Sequence, residues 1–147
     1  MNQTMGRNLK QLGMILFFLG LITGFAMPSF KNSRMGLAAH LEGVMNGTFL
    51  VVAGLIWQDL NISNPLKAVT RWTLIYGTFI NWFITLMAAI LGTSKMTPIT
   101  GQGYNGTALQ ENLVNAGFIT VGLTMVFSLI VLIYGLRGKE FFVHPQP

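Results

Sequence analysis

The sequence predicts an all-α integral membrane protein, a four-helix bundle that crosses a lipid bilayer four times, and three observations carry that reading. The 147 residues are 52% hydrophobic and only 9% charged, where a water-soluble domain usually carries about 25% charged residues. The apolar residues gather into four runs, each reaching the ~20 residues needed to cross a hydrocarbon core about 30 Å thick. The breaks between runs hold residues with turn chemistry.

The first run, about Leu9 to Met27, stops at Pro28, Ser29, Lys31, Asn32 and Ser33. It has the look of a secretory leader, but three further runs follow and no small-residue cleavage site is evident, so it reads as a helix. The second, about Leu37 to Leu60, is closed by the Asn/Ser/Pro cluster from Asn61 to Pro65. The third, Val69 to Gly92, leads into a polar segment, Thr93 to Asn112, rich in Gly, Thr, Pro and Asn. The fourth runs from Leu113 to Leu136. One membrane domain, 1–147, with spans at 9–27, 37–60, 69–92 and 113–136, is therefore expected, with no room for a separate soluble domain.

Composition also excludes. The chain has no cysteine, which removes disulfides, thiolate metal sites, iron–sulfur clusters and cysteine nucleophiles. Its net charge of +5 comes from helix ends, so it reads as orientation and contact with anionic lipid; nucleic acid is not an expected partner. Arg7, Lys10, Lys67, Arg71, Arg137 and Lys139 would share one side, against Lys31, Arg34 and Lys95 on the other. That bias places both termini in the cytoplasm. Gly101-Gln-Gly103-Tyr-Asn-Gly106 has dinucleotide-loop spacing but follows a membrane helix with no βαβ unit around it. Asn-x-Ser/Thr sequons at Asn46, Asn61 and Asn105 carry no weight, and no hydrolase triad is legible.

Glycines line single helix faces. In the second run Gly36, His40, Gly43, Gly47 and Gly54 recur at steps of four, three, four and seven, which keeps them on one side at about 100° per residue. Gly77, Asn81, Thr85 and Ala89 follow a four-residue step in the third, and the first adds Gly13, Gly20 and Gly24. Such stripes ordinarily let membrane helices pack closely. A stripe that contains a histidine has a second reading: a flat, bulky ligand lies against the bare surface of Gly43 and Gly47 while the imidazole reaches its centre.

Polar groups at membrane depth are costly unless paired, so His40, Glu42, Asn46, Asn81, Thr85 and Asn115 are candidates for function. Glu42 and Asn115 sit near the starts of their runs, where a carboxylate reaches water or an amide caps a helix, and structural roles suit them. The other histidine, His144, lies in a polar tail. One histidine at depth fits a five-coordinate heme with an open face, which suits substrate activation; two strong axial ligands suit electron transfer. Ligation by two subunits, or by Met45 or Met87 as second ligand, needs further assumptions.

The stretch Arg34-Met-Gly-Leu-Ala-Ala-His40-Leu-Glu-Gly-Val-Met-Asn46-Gly47, followed by an apolar run, resembles the second helix of the small four-helix membrane proteins that include hydroxylaminobenzene mutase and styrene oxide isomerase. The specific part is Ala39, His40, Asn46 and Gly47; the architecture and length agree over the whole chain. The resemblance implies a homotrimer with heme b between subunits, His40 as the axial iron ligand, and Asn46 as a pocket hydrogen-bond donor. A second asparagine in helix three is matched by Asn81. One turn later the epoxide isomerase has a tyrosine where this chain has Thr85, which favours the mutase branch. The implied reaction is an internal rearrangement without net redox change, aryl hydroxylamine to 2-aminophenol with iron as Lewis acid; the runner-up converts aryl epoxides to aldehydes. Asn46, Asn81 and Thr85 are then the expected catalytic residues, with His40, Gly43 and Gly47 against the cofactor.

Geometry gives an independent reason for an oligomer. His40 and Asn46 are six residues apart, so their directions differ by about 120° around one helix. They cannot both face one pocket on one side of it, whereas a closed ring of subunits lets each helix serve two neighbouring sites. Two other classes of function compete: a small proton-coupled transporter using Glu42 or His40, and a heme-anchoring subunit of a respiratory complex.

Overall fold

Four long helices dominate residues 2–138, which the computed structural model describes: α1 (Asn2–Ala26), α2 (Ser33–Leu55), α3 (Asn64–Leu91) and α4 (Ala108–Gly135). All four are long and apolar enough to cross a membrane, and no strand occurs among the described residues. The chain is a membrane protein. Several helices start well before their apolar runs, α1 at Asn2 and not Leu9, α2 at Ser33 and not Leu37, α3 at Asn64 and not Val69. A helix satisfies its backbone groups internally and so continues past the hydrocarbon edge, which hydropathy alone cannot register.

The ends are set by local chemistry. Asn32 is fully buried and caps α2 with its side-chain oxygen on the Met35 amide at 3.1 Å. Its own amide donates to the Thr100 carbonyl at 2.9 Å, and its backbone N–H donates to the Ala89 carbonyl at 3.0 Å. One residue thus joins the start of α2, the end of α3 and the long connection. At the end of α3, Gly92 takes the left-handed conformation (φ 68°) that closes helices, and the Lys31 ammonium donates to the Leu91 carbonyl at 3.1 Å. Thr107 and Gln110 form a reciprocal capping box on α4. The capping role expected near Asn115 therefore belongs to Thr107, because α4 begins about one and a half turns earlier than its apolar run. The Glu111 carboxylate accepts from the Ser94, Lys95 and Gly106 amides and so folds the connection of residues 93–107 onto the helix start. Gly101, Gly103 and Gly106 lie in that connection, with no strand before it.

The helices pack in chain order, α1 on α2, α2 on α3 and α3 on α4, with a lesser contact between α1 and α3. Among the described residues the backbones of α1 and α2 make no close approach to that of α4, and Met35 of α2 and Val114 of α4 share a small core cluster with Ala88 and Ala89 of α3. The main core cluster joins Leu9 and Leu16 of α1 to Leu50 and Ala53 of α2 around the fully buried Trp57. On α4, Leu123, Ile130 and Ile133 stay exposed, as side chains with lipid for solvent do at no cost.

Candidate functional site

The glycines of α1 and α2 meet in pairs. A Cβ added at Gly6 would stand 2.8 Å from the Gly54 carbonyl oxygen, and one at Gly13 would stand 2.6 Å from that of Gly47. One at Gly43 would fall on the Gly20 Cα. The two backbones are in contact along this seam. Gly43 and Gly47, expected to lie against a cofactor, are instead buried on α1, Gly43 touching Gly20 and Trp82 and Gly47 touching Gly13 and Phe17.

His40 sits in the same seam. Its Nδ1 is 2.8 Å from the Gly20 carbonyl oxygen, and its ring lies over Gly24, where an added Cβ would be 2.8 Å from Nδ1. A carbonyl only accepts, so Nδ1 carries the proton and Nε2 keeps its lone pair. Nε2 has no hydrogen-bond partner among the described residues and is not sealed in the interior. The half-buried ring borders a cleft of about 400 Å³ between the ends of α1 and α2, walled by Leu21, Phe25, Met27 and Leu37. An apolar cleft with one imidazole whose tautomer is fixed by a backbone carbonyl is the donor arrangement that suits an axial ligand to heme iron. The residues present fit the group. Among the described residues no three His, Asp or Glu side chains gather at one point.

On another face of α2, toward α3, lies a polar cluster. The Glu42 Oε2 accepts from the Asn46 amide at 2.9 Å and from the Asn81 amide at 2.5 Å. Glu42, Asn46 and Asn81 are all half-buried. Asn46 and Asn81, nominated separately from sequence, are thus brought together, and the residue that joins them is Glu42. Starting at Ser33, α2 carries Glu42 about 14 Å in from its end at 1.5 Å per residue, deeper than a start at Leu37 implied. The signal available in sequence was the four-residue step from Glu42 to Asn46; the link to Asn81 depends on the rotation of α3.

Thr85, expected among the catalytic groups, is 3% exposed and donates its hydroxyl hydrogen to the Asn81 carbonyl at 2.8 Å. It braces the turn that carries Asn81 and touches neither Glu42 nor Asn46 by a hydrogen bond. Nearby, the Trp82 indole donates to the Thr23 hydroxyl at 3.1 Å, tying α3 to α1 across the seam. Met45 is 66% exposed, and neither it nor Met87 lines His40's cleft. His144 and Lys139 lie outside the described residues. Within one chain, then, His40 faces α1 while Asn46 faces α3, as their six-residue spacing requires.

Comparison with known proteins identifies the family. A family model described as styrene oxide isomerase matches residues 5–137. Hydroxylaminobenzene mutase HabB of Ectopseudomonas oleovorans is 42% identical over 135 residues, covering 91% of this chain and 82% of the relative. Hydroxylaminobenzene mutase HabA of the same organism is 39% identical over 125 residues, covering 84% of this chain and 93% of the relative. No solved structure matches. Identity of this extent over nearly the full length fixes the class of enzyme as an isomerase or mutase, and the chain belongs to the styrene oxide isomerase family.

Proposed function

We propose that the protein is a heme b-dependent hydroxylaminobenzene mutase, converting aryl hydroxylamines to 2-aminophenols within a homotrimer. The observation that carries the reading is the division of polar groups on α2: His40, tautomer fixed and Nε2 free, at an apolar cleft on one side, and the Glu42, Asn46 and Asn81 cluster on the other. Similarity to two hydroxylaminobenzene mutases supports the choice of substrate.

In this reading His40 would hold the iron of a heme, and the bound group would supply Lewis-acid chemistry toward the substrate's N–O bond. The chain supplies the rest. Exposed apolar residues such as Phe25 and Leu37 bind the arene and exclude water, and Asn46 and Asn81 orient the polar end of the substrate. Thr85 acts through Asn81 as a positioning residue. A closed ring of subunits sets each His40 beside a neighbour's asparagines. The protein lies in a bacterial inner membrane with both termini cytoplasmic, on the distribution of Lys and Arg.

The test is direct. Protein from heme-replete expression shows a Soret band, isomerises phenylhydroxylamine to 2-aminophenol with no electron donor or acceptor, and loses heme and activity on His40→Ala. Retention of heme by that variant, or a strict need for NAD(P)H or a quinone, rejects the reading. Asn46→Ala keeps heme and turns over more slowly. Mixing His40→Ala with Asn46→Ala protomers restores activity where sites form between subunits and leaves the mixture inactive where each site lies within one chain. The epoxide reading has the family match in its favour, and conversion of styrene oxide in preference to phenylhydroxylamine selects it. Absence of a Soret band favours transport, and a low-spin six-coordinate spectrum favours an electron-transfer anchor.

A further inference from the structure

The hydrogen bonds of Glu42 determine which atoms Asn46 and Asn81 can offer to anything else. A carboxylate oxygen takes only donors, so both amides turn Nδ2 toward Glu42 Oε2 and their Oδ1 atoms away from it. Neither Oδ1 nor Glu42 Oε1 has a hydrogen-bond partner among the described residues, and none of the three is sealed from the surface. The free rim of the cluster is therefore three oxygens, against one leftover hydrogen on each amide nitrogen. Acceptors outnumber donors. This reverses the donor role that resemblance implies for Asn46.

We infer that Glu42 is a specificity-determining residue: by holding Nδ2 of Asn46 and Asn81 it makes the cluster an acceptor site that reads the N–H and O–H groups of its ligand. This rests on the mutase reading and deepens it. An aryl hydroxylamine and a 2-aminophenol both carry N–H and O–H donors, whereas an aryl epoxide carries only an acceptor oxygen. A site built to satisfy donors discriminates strongly against a ligand that lacks them, because the acceptors that such a ligand covers are then left unpaired. The same face separates the two chemistries of the family without any contact from Thr85, whose hydroxyl hydrogen is engaged with its own helix.

The variant that isolates this property is Glu42→Gln. A glutamine keeps one oxygen to hold both asparagine amides but replaces the free Oε1 with an NH2 group, a donor where the ligand requires an acceptor. Binding to the heme-replete full-length protein in detergent is measured by calorimetry with two probes of similar size, 2-aminophenol and 1,2-difluorobenzene. The expected result is a loss of about tenfold in affinity for 2-aminophenol, with the affinity for 1,2-difluorobenzene changed less than about twofold. A merely structural role moves both probes together, and equal changes, or none, overturn the assignment. Asn81→Leu is the second variant; it removes one acceptor while leaving the Glu42–Asn46 bond, and a selective loss of about fourfold for 2-aminophenol is expected. Non-selective loss there also overturns it. Turnover of phenylhydroxylamine by the unaltered protein is read separately. Selective, Glu42-dependent binding without turnover rejects the mutase reading and upholds this one; turnover with probe binding indifferent to Glu42→Gln does the reverse.

Discussion

The seam between α1 and α2 and the seam between α3 and α4 join helices of similar length by opposite means. Between α1 and α2, backbone meets backbone, with glycine against glycine at Gly6 and Gly54 and at Gly13 and Gly47. Between α3 and α4, side chains make the contact: the Thr73 and Ser128 hydroxyls are 2.7 Å apart, the Tyr76 and Thr120 hydroxyls 2.9 Å apart, and Met125 lies over Gly77. Lipid gives no hydrophobic reason for helices to associate, so close van der Waals approach and interhelical hydrogen bonds must do it. The first seam relies on approach and cannot give, whereas the second relies on flexible groups that can. The histidine lies in the rigid seam.

The largest effect that tests this contrast is Gly13→Val. Its Cβ would stand 2.6 Å from the Gly47 carbonyl oxygen and 2.8 Å from the Val51 amide nitrogen, backbone atoms that cannot move singly. A destabilisation of about 3 kcal/mol is expected, read as a lower unfolding temperature in detergent. Next comes Gly24→Ala, whose Cβ meets the His40 ring at 2.8 Å. Tilting the ring off the Gly20 carbonyl releases the tautomer, so heme occupancy falls several-fold while the unfolding temperature moves little. If occupancy is unchanged, the carbonyl bond does not prepare His40.

In the other seam the effects are small. Ser128→Ala removes the bond to Thr73 and costs about 0.6 kcal/mol, the average for interhelical hydrogen bonds in membranes. Gly77→Ala is expected to be near neutral, within about 0.5 kcal/mol, since the atoms in its way belong to the flexible Met125 side chain and alanine is the better helix former. A loss at Gly77 as large as that at Gly13 would erase the distinction between the seams.

The contrast also marks what the sequence could convey. Four runs and a glycine stripe are one-dimensional patterns, and they correctly implied four long apolar helices and close packing along one face of α2. The angular separation of His40 and Asn46 was legible because both lie on one helix, where spacing fixes direction. Which glycine meets which was not legible, because register between two helices is a property of both. The partners of Glu42 were not legible for the same reason: one of its two hydrogen bonds comes from Asn81, on a helix whose rotation no local pattern reveals. The packing of Gly43 and Gly47 on α1 was not legible, because a face without side chains serves a neighbouring helix as readily as a flat ligand. The bond of Thr85 to its own helix was not legible either, because a threonine hydroxyl in a helix can donate to the carbonyl four residues back or to a partner outside.

The contacts of Gly6 with Gly54, Gly13 with Gly47 and Gly20 with His40 are spaced seven residues apart on both helices. Seven residues are nearly two whole turns, so every contact falls on almost the same line. Adding or deleting one residue anywhere between Gly6 and Gly20, or between His40 and Gly54, would rotate everything beyond it by about 100°. The zipper and the histidine would then be on different sides of the helix. This half of the protein can therefore gain or lose length only outside those stretches, as in the connections around residues 27–32 and 56–63. Within α1 and α2, descent has substitution to work with and no insertion.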